Sequence, residues 1–303
     1  MRALITDHVQ STIKNGKDNK PMSKKVVFIG CGDIATRAAL KLQRGGIEVL
    51  GVRRSINDMP DELPATSADV LNPSSLRFLR NTGATTIVYS LAAAGFDEES
   101  YLNAYVKGLL NTIEACDFKH VKRLIFTSST AVYHQNDGSL VDELSPTIPQ
   151  RFNGKLMLQA EKLALATGVG TALRLSGIYG PGRLRLIDRV RNGQCSDENS
   201  ATWSNRIHTE DCAGVIAHLV NQDTLPEVVL GSDSLPATAV EVETFIATQL
   251  GVDKQYAASS TNRPKRIAGS KRCDNRLLLS TGYCFIHSNY QSGYKEIIAN
   301  TCK

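Results

Sequence analysis

Gly30-Cys31-Gly32-Asp33-Ile34-Ala35 carries the G-x-G-x-x-A spacing that lets a backbone turn tightly and come close to a pyrophosphate. Amides at the start of the following helix then face the anion. Taken alone such a match is weak. Here it follows a short apolar run, Val26–Ile29, and opens an Ala/Leu-rich stretch to Arg44, the context a dinucleotide-binding turn requires. The next apolar run, Ile47–Val52, ends in Arg53-Arg54-Ser55 rather than in the carboxylate that commonly holds a ribose 2′-hydroxyl. Two guanidiniums suit a 2′-phosphate, so NADP is the expected cofactor, with NAD as the alternative. A solvated arginine pair on an exposed turn is the competing account.

The elements that must hold this turn alternate between two periods. Strand candidates lie at 26–29, 47–52, 85–89, 123–127, 171–175 and 228–230, with helical stretches between them. Ile34–Arg44 closes on Gly45-Gly46, a helix C-terminus. Asn72-Pro73 reads as cap and first position of a helix through Asn81, and Thr238 with Glu241 as a capping box before a helix ending at Gly251. Strands alternating with helices predict an α/β, Rossmann-type, doubly wound parallel sheet. The pattern loosens after residue 175. The expected organisation is a flexible tail at 1–22, a dinucleotide-binding domain at 23–175 and a smaller C-terminal substrate lobe at 176–303, with helices packing back on the sheet. Met22, directly before Ser23-Lys24-Lys25, is a second candidate start.

Composition closes off several classes. The 303 residues are 42% hydrophobic and 21% charged, ordinary globular values. No apolar run reaches the length of about 18 residues that a membrane span needs, and the N-terminus lacks a secretory apolar core. Seven scattered cysteines without a C-x-x-C fit reduced thiols in a cytoplasm. A net charge of +5 is too weak to indicate nucleic acid. The basic run Arg263, Lys265, Arg266, Lys271, Arg272, Arg276 has no interleaved aromatics and reads as a solvated face. Neither a metal-binding pattern nor a G-x-S-x-G elbow occurs.

Longer motifs carry a resemblance. Val88–Ala93, Asp69-Val70, Thr127–Tyr133, Leu173–Gly182 and Arg206–Asp211 are similar, in order, to segments of the extended short-chain dehydrogenases and reductases, the NAD-dependent epimerase/dehydratase family. The segment Ser270–Asn275 through Gly282-Tyr283 looks like an atypical branch. The resemblance implies cofactor contacts at Asp69, Val70, Leu91, Ala92, Ser176 and Ile178, beside Gly30, Gly32, Asp33, Ile34, Ala35, Arg53 and Arg54. It places Ser129 at the catalytic hydroxyl position. It also implies an oxidoreductase or an epimerase/dehydratase-like enzyme, and a homodimer paired through helices at 97–116 and 154–167. The substrate expected is small and polar, with nucleotide-linked sugars among the candidates.

The family's catalytic pair is Tyr-x-x-x-Lys. The corresponding place reads Arg151-Phe152-Asn153-Gly154-Lys155, so Lys155 is taken as the lysine that holds the nicotinamide ribose and Arg151 as the replacement for tyrosine. Arginine cannot exchange a proton near neutral pH. Either another group takes that role, or the reaction needs no tyrosine, or the protein is a non-catalytic NADP-binding sensor or interaction protein. His134 could titrate near neutrality, against the alternative of a surface-loop histidine. Tyr133 reads as a packing residue. Arg174, Arg206 and His208 are the expected substrate contacts, with a structural role as the favoured alternative for His208; Arg183 and Arg185 could join the arginines in clamping a diphosphate, against surface solvation as the alternative.

Overall fold

The computed structural model describes residues 24–196, 201–253 and 269–301. The 1–22 tail, Cys302 and the basic positions Arg263, Lys265 and Arg266 lie outside those residues.

Val26, Val27, Phe28 and Ile29 are all fully buried, as expected of a parallel strand covered on both faces. They form strand β1 (Lys25–Ile29), which pairs in parallel with β2 (Glu48–Arg53) on one side and β4 (Thr86–Tyr89) on the other. Ala65–Ser67 adds β3 beyond β2, and Arg123–Ser129 adds β5 beyond β4. Gly170–Leu175 pairs with β5, and Val228–Gly231 closes that side. The result is a seven-stranded parallel sheet, in which Val228–Gly231 comes from beyond residue 175.

Helix α1 (Asp33–Arg44) begins directly after the glycine turn and buries Ala35, Ala38, Ala39 and Leu42. That spacing keeps one apolar stripe on the sheet. The stretch after Asn72 is a 3₁₀ helix, Pro73–Asn81, rather than an α-helix. Its two buried residues, Leu76 and Leu79, are three apart, the repeat of a 3₁₀ turn. The Asn72 side-chain Oδ1 accepts from the Ser74 amide at 3.2 Å.

Opposite it runs a continuous helical segment of changing pitch. It starts as α2 (Glu98–Tyr101), widens to a π-helical turn at Leu102–Lys107, and continues as α3 (Gly108–Ala115). Helix α4 (Phe152–Leu165) lies beside it and buries Gly154, Leu156, Met157, Ala160, Glu161 and Ala164. Beyond the sheet, Gly177–Tyr179 pairs in parallel with Arg206–His208. The Ala239–Leu250 helix carries both hydrogen bonds of the Thr238/Glu241 capping box and ends on Gly251 at φ +66°. A separate core of Ile187, Val242, Ile246, Tyr294 and Ile297 holds this part together.

Candidate functional site

The carboxyl ends of β1, β4, β5 and Gly170–Leu175 open into one cleft of about 770 Å³. Gly30, Gly32, Asp33, Ile34, Ala35, Arg53, Arg54, Asp69, Val70, Leu91, Ala92, Ser129, Ser176 and Ile178 all line it. A side chain at Gly30 would strike Leu91, and Gly30 sits at φ +81°, so the turn is built for glycine. At Gly32 an added Cβ would meet only the Gly30 carbonyl oxygen, at 4.0 Å, so the turn leaves an open cradle at the start of α1. The Gly30 and Cys31 amides donate to Val52 O at 2.9 and 3.0 Å, tying the cradle to the end of β2.

One anion lies at the head of that cradle. Asp33 accepts from Arg37 Nε at 2.7 Å and from Arg183 at 3.3 Å, and the two guanidiniums offset a carboxylate where a pyrophosphate would sit. Arg53 and Arg54 stand farther along. Among the described residues Arg53's one carboxylate partner is the distant Asp58, at 3.9 Å, and Arg54 is exposed. The Asp69 carboxylate accepts from the Leu71 amide at 2.9 Å. Buried Ser176 Oγ lines the cleft with no hydrogen-bond partner among the described residues, a polar atom awaiting a ligand. These features fit a dinucleotide.

At the other end of the cleft, Ser129 Oγ accepts from the Ala131 amide at 3.2 Å, which leaves its own proton free to donate. Helix α4 presents Asn153 and Met157 to the cleft. They are four residues apart, one helical turn, on the face that also buries Ala160 and Glu161.

Lys155 is corrected by this geometry. Two residues turn an α-helix by about 200°, so Lys155 points away from Met157's side. It is exposed and lines a separate shallow depression with Leu158, Gln159 and Lys162. Arg151 is also displaced: it caps the start of α4, exposed, with its guanidinium 6.0 Å from the Phe96 ring centroid. Counting from the lysine set the register two residues off.

The expected substrate contacts need correction too. Arg174 is buried, its Nε and NH2 bonded to Glu161 at 2.9 and 2.7 Å and its NH1 to Tyr133 Oη at 3.0 Å. Ser128 Oγ donates to the same carboxylate at 2.5 Å. That network joins strand to helix and leaves the guanidinium no face toward a substrate. Tyr133 Oη also donates to Asp142 O at 2.7 Å, a packing role. His208 is fully buried and caps the Thr209–Asn221 helix, its Nδ1 accepting from the Glu210 amide at 3.3 Å. Burial, then the neighbouring His287, pushes its pKa down to about 4, so it stays neutral. Arg206 donates to Ser204 Oγ at 2.8 Å and is not among the cleft's lining residues. His134 is exposed on its loop and does not line the cleft either.

Sequence reasoning missed Asn153, Met157, Tyr101 and Tyr105, all of which line the cleft. The signal for the first two was the apolar repeat Leu156, Met157, Ala160, Ala164, which fixes the inward face of α4. Among the described residues, no cluster of three His, Cys, Asp or Glu could hold a metal, and no helix is long and apolar enough to cross a membrane.

Comparison with known proteins adds the following. The family model described as NAD dependent epimerase/dehydratase family matches residues 30–229. A solved structure from Methylobacillus flagellatus, assigned to the NAD-dependent epimerases/dehydratases, is 35% identical, with a TM-score of 0.80 over 93% of this chain and 100% of that one. Protein YeeZ of Escherichia coli is 29% identical over 65% of this chain and 73% of its own length. The 2-alkyl-3-oxoalkanoate reductase of Shewanella oneidensis is 27% identical over 86% of this chain and 79% of its own.

Proposed function

The chain belongs to the NAD dependent epimerase/dehydratase family, a nicotinamide-dependent enzyme of the oxidoreductase and epimerase type, and we propose that it is an NADP(H)-dependent oxidoreductase. The observation that carries the cofactor choice is the Arg53-Arg54 pair at the end of β2, inside the cleft. A 2′-phosphate there would meet two cations, whereas a bare ribose would leave Arg53 with only the distant Asp58, at 3.9 Å, and offer Arg54 no anion. Bound NADPH supplies a hydride at nicotinamide C4. The Gly30–Ala35 turn binds the pyrophosphate, Ser176 Oγ offers a hydrogen bond along the cleft, and Ser129 Oγ donates to the substrate oxygen. The Asn153 amide, which also lines the cleft, would orient that oxygen.

The substrate belongs to the same proposal. A nucleotide-linked sugar brings a diphosphate that needs free cations. Arg174 is locked to Glu161, Arg183 is paired with Asp33, and neither Arg185 nor Arg206 lines the cleft. That arrangement favours a small substrate with one reacting carbonyl or hydroxyl group, in line with the ketone reductase named among the relatives. A substrate lobe after residue 175 and a homodimer through α3 and α4 complete the reading. Exposed Leu110 on α3 supports the pairing.

Calorimetric titration with NADPH and NADH tests the cofactor. NADPH is expected to bind at least about tenfold tighter, roughly 1.4 kcal/mol. Arg53→Asp/Arg54→Ala should abolish the preference. Equal affinities in the native protein would overturn it.

A further inference from the structure

Proton transfer in this cleft has no evident owner on α4, since an amide and a thioether occupy its inward turn. The titratable side chains lining the cleft are Asp33, Arg53, Arg54, Asp69, Arg183, Tyr101 and Tyr105. Asp33 and Arg183 are bound to each other, and Arg53, Arg54 and Asp69 belong to the end formed by β2 and the loop after β3. Arginine does not release a proton near neutrality. That leaves two phenols on the segment between α2 and α3. Tyr101 packs its ring against Phe96, Phe152 and Tyr105, at centroid distances of 5.7, 5.4 and 5.1 Å.

Tyr105 is placed differently. It sits inside the π-helical turn Leu102–Lys107, and such widened turns recur at functional sites because they re-aim one side chain. Its ring meets Phe126 of β5 edge-on at 6.5 Å. Its oxygen accepts from the Ala93 amide at 3.3 Å, between the cleft-lining Ala92 and Ala94. The phenol oxygen is thereby tied to the loop after β4, and its own proton remains available.

We infer that Tyr105 is the catalytic acid of this enzyme, giving its phenolic proton to the oxygen of a carbonyl substrate that Ser129 also holds. The inference rests on the NADPH reading above. When bound, NADPH would supply the hydride for the carbonyl carbon. The Tyr105 O–H bond breaks, an O–H bond forms on the substrate oxygen, and the alcohol leaves. The phenolate is then reprotonated from solvent, so one ketone or aldehyde, one NADPH and one proton give one alcohol and one NADP⁺. The Ala93 amide would bond the transient phenolate more strongly than the phenol, because the acceptor is then charged. Burial pushes the phenol up and Ala93 only partly offsets this, which keeps it protonated before the transfer.

The test compares the native protein, Tyr105→Phe and Tyr101→Phe with 4-nitrobenzaldehyde and ethyl acetoacetate as probes, after NADPH affinity has been measured for each. Expected is a fall in kcat of about 10²–10³ for Tyr105→Phe, with the NADPH Kd within about twofold of native and the pH dependence of kcat altered. Tyr101→Phe should fall by less than Tyr105→Phe, and an equal or larger fall would make Tyr101 the acid and overturn the assignment. Turnover of Tyr105→Phe within about twofold of native would overturn the assignment. So would an NADPH Kd that rises as turnover falls, because Tyr105 would then only be positioning the loop after β4. A native protein that binds NADPH but reduces neither probe overturns it while sparing the cofactor site. Failure to bind NADPH removes both readings.

Discussion

Arg174 and Glu161 close a bidentate ion pair between the Gly170–Leu175 strand and α4, with nitrogen–oxygen distances of 2.9 and 2.7 Å. Both side chains are buried, and Tyr133 and Ser128 satisfy what the pair leaves over. A pair so enclosed fixes how α4 sits on the sheet, and with it where Asn153 and Met157 face the cleft. Removing one partner strands the other charge in a low-dielectric interior. Glu161→Ala is therefore expected to lower stability by about 3–5 kcal/mol, read as the denaturant midpoint at constant slope. A loss under about 1 kcal/mol would mean that water or a neighbour replaces the carboxylate.

Much of the fold is legible in the sequence. Fully buried parallel strands leave apolar runs, so 26–29, 85–89 and 171–175 announced themselves. The glycine turn was equally legible, since only residues without side chains survive at Gly30. What failed was helix register. Lysine and arginine at 155 and 151 are chemically conspicuous, whereas asparagine and methionine at 153 and 157 are not, and the conspicuous pair set the count. The inward stripe of α4 held the better information. Buried arginine was misread for a related reason: Glu161 stands 13 residues before Arg174, and only folding brings it alongside.

Lys155 offers a direct check on that correction. Exposed and facing away from the cleft, it contributes neither a ribose contact nor a buried interaction. Lys155→Ala should leave the NADPH Kd within about twofold and stability within about 0.5 kcal/mol, as surface substitutions do. A tenfold loss of NADPH affinity, about 1.4 kcal/mol, would return Lys155 to the site.

Gly30 carries the opposite expectation. Alanine there would adopt φ +81° and drive its Cβ into Leu91, which itself lines the cleft. Strain of this kind costs on the order of 1–3 kcal/mol. Because the turn packs directly on Leu91 of the loop after β4, Gly30→Ala should weaken NADPH by at least about tenfold as well. Calorimetry beside thermal unfolding separates the two losses, and unchanged affinity in a folded variant would show that the cradle is not the pyrophosphate site.

Asp233 gives the pH prediction. It is almost fully buried, Oδ1 accepts from the Leu235 amide at 3.2 Å, and Oδ2 has no partner among the described residues. Burial raises its pKa to about 7, with Leu235 and Arg206 pulling down and Asp211 adding to the rise. The folded chain thus keeps a proton that the unfolded chain releases near pH 4. Between about pH 4 and 7 the folded state binds more protons, so this group makes stability fall as pH rises, by up to about 1.4 kcal/mol per unit. His208 works in the other direction: its folded pKa near 4 lies below the unfolded value, so it makes stability rise between about pH 4 and 6.5. In the native chain the two slopes oppose each other. Asp233→Asn removes one of them, so its stability relative to native should grow with pH from about 4 to 7 and level off above. Urea titrations across that range decide the matter. A difference independent of pH would place the Asp233 carboxylate in its charged form throughout.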